Sequence, residues 1–290
     1  MEYLYAISFD FIDRCQKTVD MDEFVRISER RFQNQIKSVV DEALSAGVRL
    51  IRLAGPSGSG KTTTTKRIVE AFKDRGIPAY YLSMDNWYKT LSVENMPKNE
   101  DGDPDFESPD LLDLVDFKRD VRDLLAGKEV RLKEFDFINR VSRESSRILQ
   151  CEANGIVVIE GIHAINPMFD TEIEDMKVYV EPSPVRVDND TVISSSNIRL
   201  CRRLHRDLVD RGMSLEDTMK KCRSVDIGQR KYIDPYTRDP DILRVDTLIY
   251  YELFIHKNEV LNMECLNPIR NTNITKDIIP ANSILREFYK

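Results

Sequence analysis

An α/β fold, with a parallel sheet flanked by helices and closed by a helical lid, is predicted by three features of this sequence. The first is Gly55-Pro56-Ser57-Gly58-Ser59-Gly60-Lys61-Thr62, set between a short apolar run (Leu50, Ile51, Leu53, Ala54) and a helical segment. It reads G-x-x-x-x-G-K-[ST], the spacing of a phosphate-cradling P-loop. The second is Ile156-Val157-Val158-Ile159-Glu160, a continuous run of the kind that parallel sheets bury on both faces. The third is strand, helix and strand in succession over residues 48–83, which makes a parallel unit. Together they specify the P-loop NTPase fold.

Each element follows from its local pattern. Residues 1–21 have no clear period; Phe9, Phe11 and Ile12 suit an edge strand or a packing role. From Asp22 to Ala46, Phe24, Ile27, Phe32, Ile36, Val39, Val40, Ala43 and Leu44 recur at helical steps, and Gly47 ends an amphipathic packing helix. A strand over 48–54 feeds the loop. A helix over 61–75 turns Ile68, Val69 and Phe72 inward and stops at Gly76. Pro78 opens the next strand, 79–83, and Met84-Asp85-Asn86-Trp87-Tyr88-Lys89 lies at its carboxyl end, beside the P-loop strand, where open parallel sheets bind ligands. Residues 90–109 read as a polar surface loop. Asn99–Asp105 is acidic and contains Gly102, but no Glu closes a twelve-residue calcium loop between helices.

A helix over 111–126 ends at Gly127, a short β-like stretch covers 128–133, and Phe135-Asp136-Phe137 follows. Further strands are expected at 156–160, 177–180 and 246–251, with an irregular connector at 185–194. Ser195–Ser196 can cap a helix running to Asp210 that carries Arg199, Arg202, Arg203, His205 and Arg206, and another helix starts at Leu215. The organisation is an N-terminal extension (1–47), one P-loop domain (48–272, with its lid at about 195–228) and a C-terminal tail (273–290).

Composition narrows the function. The 290 residues carry 43 basic and 50 acidic side chains, a net charge of −7, which argues against nucleic acid or an acidic membrane as partner. The five cysteines are scattered, with no C-x-x-C pair, and suit a reducing compartment. No basic-then-apolar leader or apolar run of about 18 residues is present, so a cytoplasmic site is expected. His163, His205 and His256 fall on three separate elements, which suits packing or surface roles better than a metal site or triad.

The loop implies a nucleotide's phosphates held by Gly55–Thr62 and the adjoining Thr63, with Lys61 on the β- and γ-phosphates and the Thr62 hydroxyl on Mg²⁺. Asp85, at a strand end, can orient an acceptor hydroxyl and take its proton. Glu160, ending a buried strand, can reach Mg²⁺ directly or through water. The arginine-dense helix either closes over the phosphates or presents a solvated, salt-bridged face.

Ser83-Met84-Asp85-Asn86-Trp87-Tyr88, Asp105-Phe106-Glu107-Ser108-Pro109-Asp110, Phe135-Asp136-Phe137, Ile159-Glu160-Gly161 and Arg199-Leu200-x-Arg202-Arg203-x-x-Arg206-Asp207 resemble, in order and spacing, the uridine kinase family. The resemblance covers about residues 48–255. Glu160–His163 and the ending Ser283–Phe288 are similar to the bacterial-type branch. It implies Mg²⁺-dependent transfer of phosphate from ATP or GTP to the 5′-hydroxyl of uridine or cytidine, a step of pyrimidine salvage, and leaves a homo-oligomer open. On the matching positions it implies Asp85 as catalytic carboxylate, with Lys61, Arg203 and Arg206 at the phosphates. Tyr88, Glu107, Phe135, Phe137, Arg140, Arg203 and Arg211 then lie on the acceptor side, and Thr62 and Glu160 at the metal.

Four positions depart from the family pattern. Phe135 replaces a base-stacking Tyr, Arg140 aligns near a base-reading His, Met213 stands at a frequent Arg, and Glu107 replaces an Asp on the ribose. A phenyl face still stacks on a base, but an arginine reads a base edge or a phosphate differently from imidazole. Two alternatives therefore stand beside the nucleoside kinase: a related kinase acting on a sugar phosphate, and a nucleotide-dependent switch or binding module without a small acceptor. No Asn-Lys-x-Asp guanine motif supports the switch.

Overall fold

The computed structural model describes residues 6–99, 102–137, 139–210, 212–255 and 274–289. It opens with β1 (Ile7–Ser8) and α1 (Phe9–Thr18), so Phe9, Phe11 and Ile12 lie on a helix and not on an edge strand; Ile12 takes the packing role, buried on α1, while Phe11 stays exposed. α2 (Met21–Ala46) starts at Asp20, whose carboxylate accepts from the Glu23 N–H at 2.8 Å, and ends at Gly47. Its stripe of Phe24, Phe32, Ile36, Val39, Val40 and Ala43 is buried as its period predicts, while Leu44 is exposed.

The sheet runs β10-β7-β2-β6-β3, every pairing parallel, from β2 (Leu50–Ala54), β3 (Ala79–Ser83), β6 (Ile156–Glu160), β7 (Asp175–Glu181) and β10 (Leu243–Asp246). Two expectations about it are corrected. β3 pairs with β6, and β6 with β2, so the strand bearing Asp85 is one place removed from the P-loop strand. The reason is burial: all five residues of β6 are buried, so both its edges need partners. The last strand lies at 243–246, not 246–251, because Leu248–Tyr251 is buried by packing after the ladder has ended.

One apolar layer joins α1, α2 and α3 (Lys61–Lys73) to residues 248–255 and 279–289 on one face of the sheet; the other gathers Met84, Trp87, Phe117, Val121, Leu124 and Phe169. α4 (Leu114–Leu125) contributes Phe117, Val121 and Leu124 to that second layer.

The segment after α4 is a long antiparallel arm, β4 (Glu129–Asp136) with β5 (Val141–Gln150). β5 is absent from the sequence reading because its residues 142–147 are all polar and mostly exposed, so no alternating apolar face marks it. The supposed irregular connector forms β8 (Val185–Arg186) and β9 (Val192–Ile193), a small sheet completed by β1 from the N-terminus. α5 (Ser195–Asp210) is capped by Ser194, whose Oγ accepts from the Asn197 N–H, rather than by Ser195 or Ser196. α6 (Leu215–Tyr232) starts where its pattern says, and a short α7 (Glu252–Ile255) follows β10. Among the described residues no helix is long and apolar enough to cross a membrane, and no cluster of three metal-ligating side chains occurs.

Candidate active site

The P-loop leaves the carboxyl end of β2 and enters α3. Gly58 and Gly60 have φ of +83° and +89°, a region that disfavours any residue with a Cβ. A Cβ on Gly55 would collide with the Val180 carbonyl, and one on Gly60 would lie 2.5 Å from Ile284. The loop's carbonyls are tied from behind. Arg199 donates to Ser57 O and Arg202 to Gly58 O, each at 3.2 Å, and the Thr247 hydroxyl donates to Ser59 O at 2.7 Å. With its carbonyls fixed on that side, the loop has the polarity of an anion cradle.

The arginine helix is thus no solvated face. Arg199, Arg202 and Arg203 are buried, and Arg202 forms a fully buried two-point pair with Glu252 at 2.7 and 2.8 Å. Arg203 packs its Cγ close to Gly58, and its buried Nε has no hydrogen-bond partner among the described residues. Burial holds its guanidinium below the usual pKa, with Cys222, Asp207 and Glu107 opposing. Ser59 Oγ is also buried without a partner among the described residues. An orphaned guanidinium N–H and an orphaned hydroxyl beside a glycine cradle suit a phosphate. Arg206, half-buried, instead donates its Nε to Asp207 at 3.0 Å. Arg211 and His256 lie outside the described residues.

Lys61 sits among carboxylates. Burial lowers its pKa, and Glu160, Glu287, Asp85 and Glu107 pull it back up. Because β6 lies between β2 and β3, Glu160 at its end stands between the loop and Asp85. The Thr62 hydroxyl donates to Glu160 Oε1 at 3.2 Å, and the Tyr81 hydroxyl donates to the same oxygen at 3.0 Å. A hydroxyl and a carboxylate this close are hard oxygen donors of the type Mg²⁺ takes, so Thr62 and Glu160 fit that ion. Sequence reasoning missed Tyr81: a strand tyrosine reads as packing until β3 pairs with β6, where Tyr81 sits opposite Val158 and its hydroxyl reaches Glu160, two residues further along.

Asp85 is the second residue of a 3₁₀ turn over Met84–Trp87, capped by Ser83. Its side chain faces solvent in the cleft, yet protein crowding and the Glu160 carboxylate raise its pKa to about 6, against the pull of Lys61 and a hydrogen bond from Ser83. The β4–β5 arm is tied to this turn through Asn86 Nδ2 to Lys133 O (2.5 Å) and the Ser142 N–H to the Thr90 hydroxyl (2.8 Å). It thereby brings Phe135 and Phe137 against Tyr88, with ring centroids 5.0 to 5.8 Å apart. Phe137 and Phe106 remain open to solvent, and the Arg140 guanidinium lies 5.3 Å over the Phe106 ring. Arg140 has a φ of 56°.

The 90–109 stretch is no mere surface loop. Asp105 is buried and accepts from the Tyr232 hydroxyl of α6 at 2.7 Å, and Ser108 is buried too. Glu107 lies so close to Gly228 of α6 that a side chain there would collide with it. Gly228 was unmarked by motif, although a glycine inside a helix costs roughly 1 kcal/mol and so hints at a close approach. Burial raises the Glu107 pKa, with Arg203 and Lys61 opposing. His163 is buried beside Phe169 and Tyr232, with its pKa pushed down to about 4 by burial, so it is neutral near pH 7. His205 is buried against Tyr289.

The chain is similar to known proteins in sequence and in fold. Residues 50–247 match the Phosphoribulokinase / Uridine kinase family. The uridine kinase of Halobacterium salinarum is 28% identical over 194 residues, 67% of this chain and 78% of that protein. Uridine-cytidine kinase-like 1 of Mus musculus is 30% identical over 195 residues, 67% of this chain and 32% of that one. Among solved structures, a candidate fructose transport system kinase of Silicibacter sp. TM1040 superposes with a TM-score of 0.54 at 18% identity, covering 72% of this chain and 98% of the other, a likeness of fold.

Proposed function

Because the chain belongs to the phosphoribulokinase/uridine kinase family and is a phosphotransferase acting on an alcohol, we propose that its acceptor is the 5′-hydroxyl of a nucleoside, uridine before cytidine. One observation carries the reading. Asp85 lies within the electrostatic reach of both Lys61 and Glu160, on a turn tied to the arm that bears the Tyr88–Phe135–Phe137 rings. An acceptor hydroxyl at Asp85 would then have a base-sized aromatic group beside it. In this reading Glu107 would accept from ribose hydroxyls, and Arg140, which only donates, suits a keto oxygen better than an exocyclic amine.

In this scheme ATP or GTP is the donor. The P-loop N–H groups, Lys61 and Arg203 hold its phosphates and offset the charge that spreads over them during transfer. Mg²⁺, held by Thr62 and Glu160, would add further neutralisation of the phosphate oxygens. Asp85, ionised above about pH 6, takes the proton of the attacking hydroxyl.

A second reading, phosphorylation of a sugar phosphate, rests on Arg140, a fixed cation on the acceptor side. The test is a panel of acceptors (uridine, cytidine, purine nucleosides, ribulose 5-phosphate) with Mg²⁺ and either ATP or GTP, followed by diphosphate release. Uridine is expected to raise release most. A response to the sugar phosphate alone would move the assignment to the second reading, and no response to any acceptor would favour a nucleotide switch.

A further inference from the structure

The C-terminal segment Ser283–Phe288 folds across the start of α3 and brings a carboxylate to the phosphate loop. Glu287 Oε2 accepts from the Thr63 N–H at 3.2 Å and from the Thr63 hydroxyl at 2.7 Å. Thr63 is the third residue of α3, so its N–H is one of the four that a helix start leaves unpaired. The donors at the start of this helix are those that meet a nucleotide's α/β-phosphates in a P-loop. The Glu287 charge also acts on Lys61. An anion of the protein's own thus occupies donors suited to a phosphate.

The rest of the segment is fastened. Ile284 and Leu285 are wholly buried, Ile284 against Gly60. The Phe288 ring lies 5.1 Å from the guanidinium of Arg202, the side chain that holds Gly58 O. Ser283 is tied through the Tyr251 hydroxyl to Glu29 of α2. Glu287, only half-buried, is the part of the segment that can swing away while the backbone stays.

We propose that Glu287 is a built-in competitor for the donor's phosphates. Its carboxylate takes the Thr63 donors until the triphosphate displaces it, and it thereby sets how tightly the donor is held. This rests on the donor-site reading above. Two charge-assisted hydrogen bonds must be given up on binding, and a negative charge must leave the neighbourhood of the arriving phosphates.

The experiment is calorimetric titration of the full chain with Mg²⁺–ATP, Mg²⁺–ADP and pyrophosphate, in the wild type, Glu287→Gln and Glu287→Ala, with Lys61→Ala as the binding-deficient control. Glu287→Gln keeps an oxygen for Thr63 and removes only the charge. Both Glu287 variants are expected to bind all three ligands about tenfold more tightly. A carboxylate that merely caps α3 predicts the opposite sign, since a frayed helix start weakens phosphate binding. Unchanged or weaker binding in the variant that folds, while the wild type binds and Lys61→Ala does not, overturns the competitor alone. A wild type that binds no triphosphate overturns the donor site, and the competitor with it.

Discussion

Asp85→Asn separates the chemistry of the site from its stability. A positioned general base contributes roughly 10²–10⁴ in rate, so turnover should fall by that factor while donor binding stays within about twofold. In the wild type, kcat/KM should fall tenfold per pH unit below about 6, where Asp85 takes up its proton, and the variant's residual activity should lack this limb. Stability should move the other way. The folded pKa of about 6 stands above the ordinary 3.8. Between these values the native chain keeps a proton that the unfolded chain has released, so wild-type stability falls as pH rises through that window, and the full cost is present above it. The gap between the two values corresponds to about 3 kcal/mol, and because Asp85 opens onto solvent, screening reduces this to about 1 kcal/mol. Asparagine carries no such cost. Thermal unfolding should therefore show the variant gaining about 2 °C over the wild type at pH 7.5, with no such gain at pH 3.5. Near-normal turnover, or an acid limb that persists in Asp85→Asn, would refute the base assignment. A stability difference independent of pH would refute the electrostatic argument.

Other perturbations probe the scaffold. Glu252→Gln leaves the wholly buried Arg202 guanidinium without its ionic partner and should cost about 3–5 kcal/mol in a denaturant titration; a cost below about 1 kcal/mol would show that the carbonyls of Gly58, Ser59 and Thr247 suffice. Gly228→Ala places a methyl against Glu107, so KM for the acceptor should rise severalfold with KM for the donor unchanged, at a stability cost of about 1–3 kcal/mol. Equal effects on both substrates would place Glu107 outside the acceptor site.

Legibility followed the physical range of each signal. Gly55–Thr62 was readable because the chemistry needs particular residue types at fixed local spacing, and the α2 stripe because burial of one helix face imposes a short period. Strands 79–83 and 156–160 were bounded to the residue, since an apolar run between turns states its own length. β5 and the small β1–β8–β9 sheet were not readable. The former has hardly any apolar face, and the latter joins residues some 180 positions apart through two-residue strands. The same reason hid Gly228 and Tyr81, which matter only for what faces them.

The sequence by itself determined a phosphate loop, the α/β order around it, and Asp85, Glu160 and the arginine helix as the chemistry within reach. Only the tertiary structure decided how these meet. β6 inserts between β2 and β3 and so sets Glu160 between Thr62 and Asp85. Arg202 goes behind the loop to hold its carbonyls, while Arg203 keeps a buried nitrogen unpaired among the described residues. Glu287, more than two hundred residues from Thr63, arrives at the same helix start. Local spacing fixes which donors and acids exist; long-range pairing and burial fix which of them face one another, because those contacts depend on strand order and packing, which no short window of sequence contains.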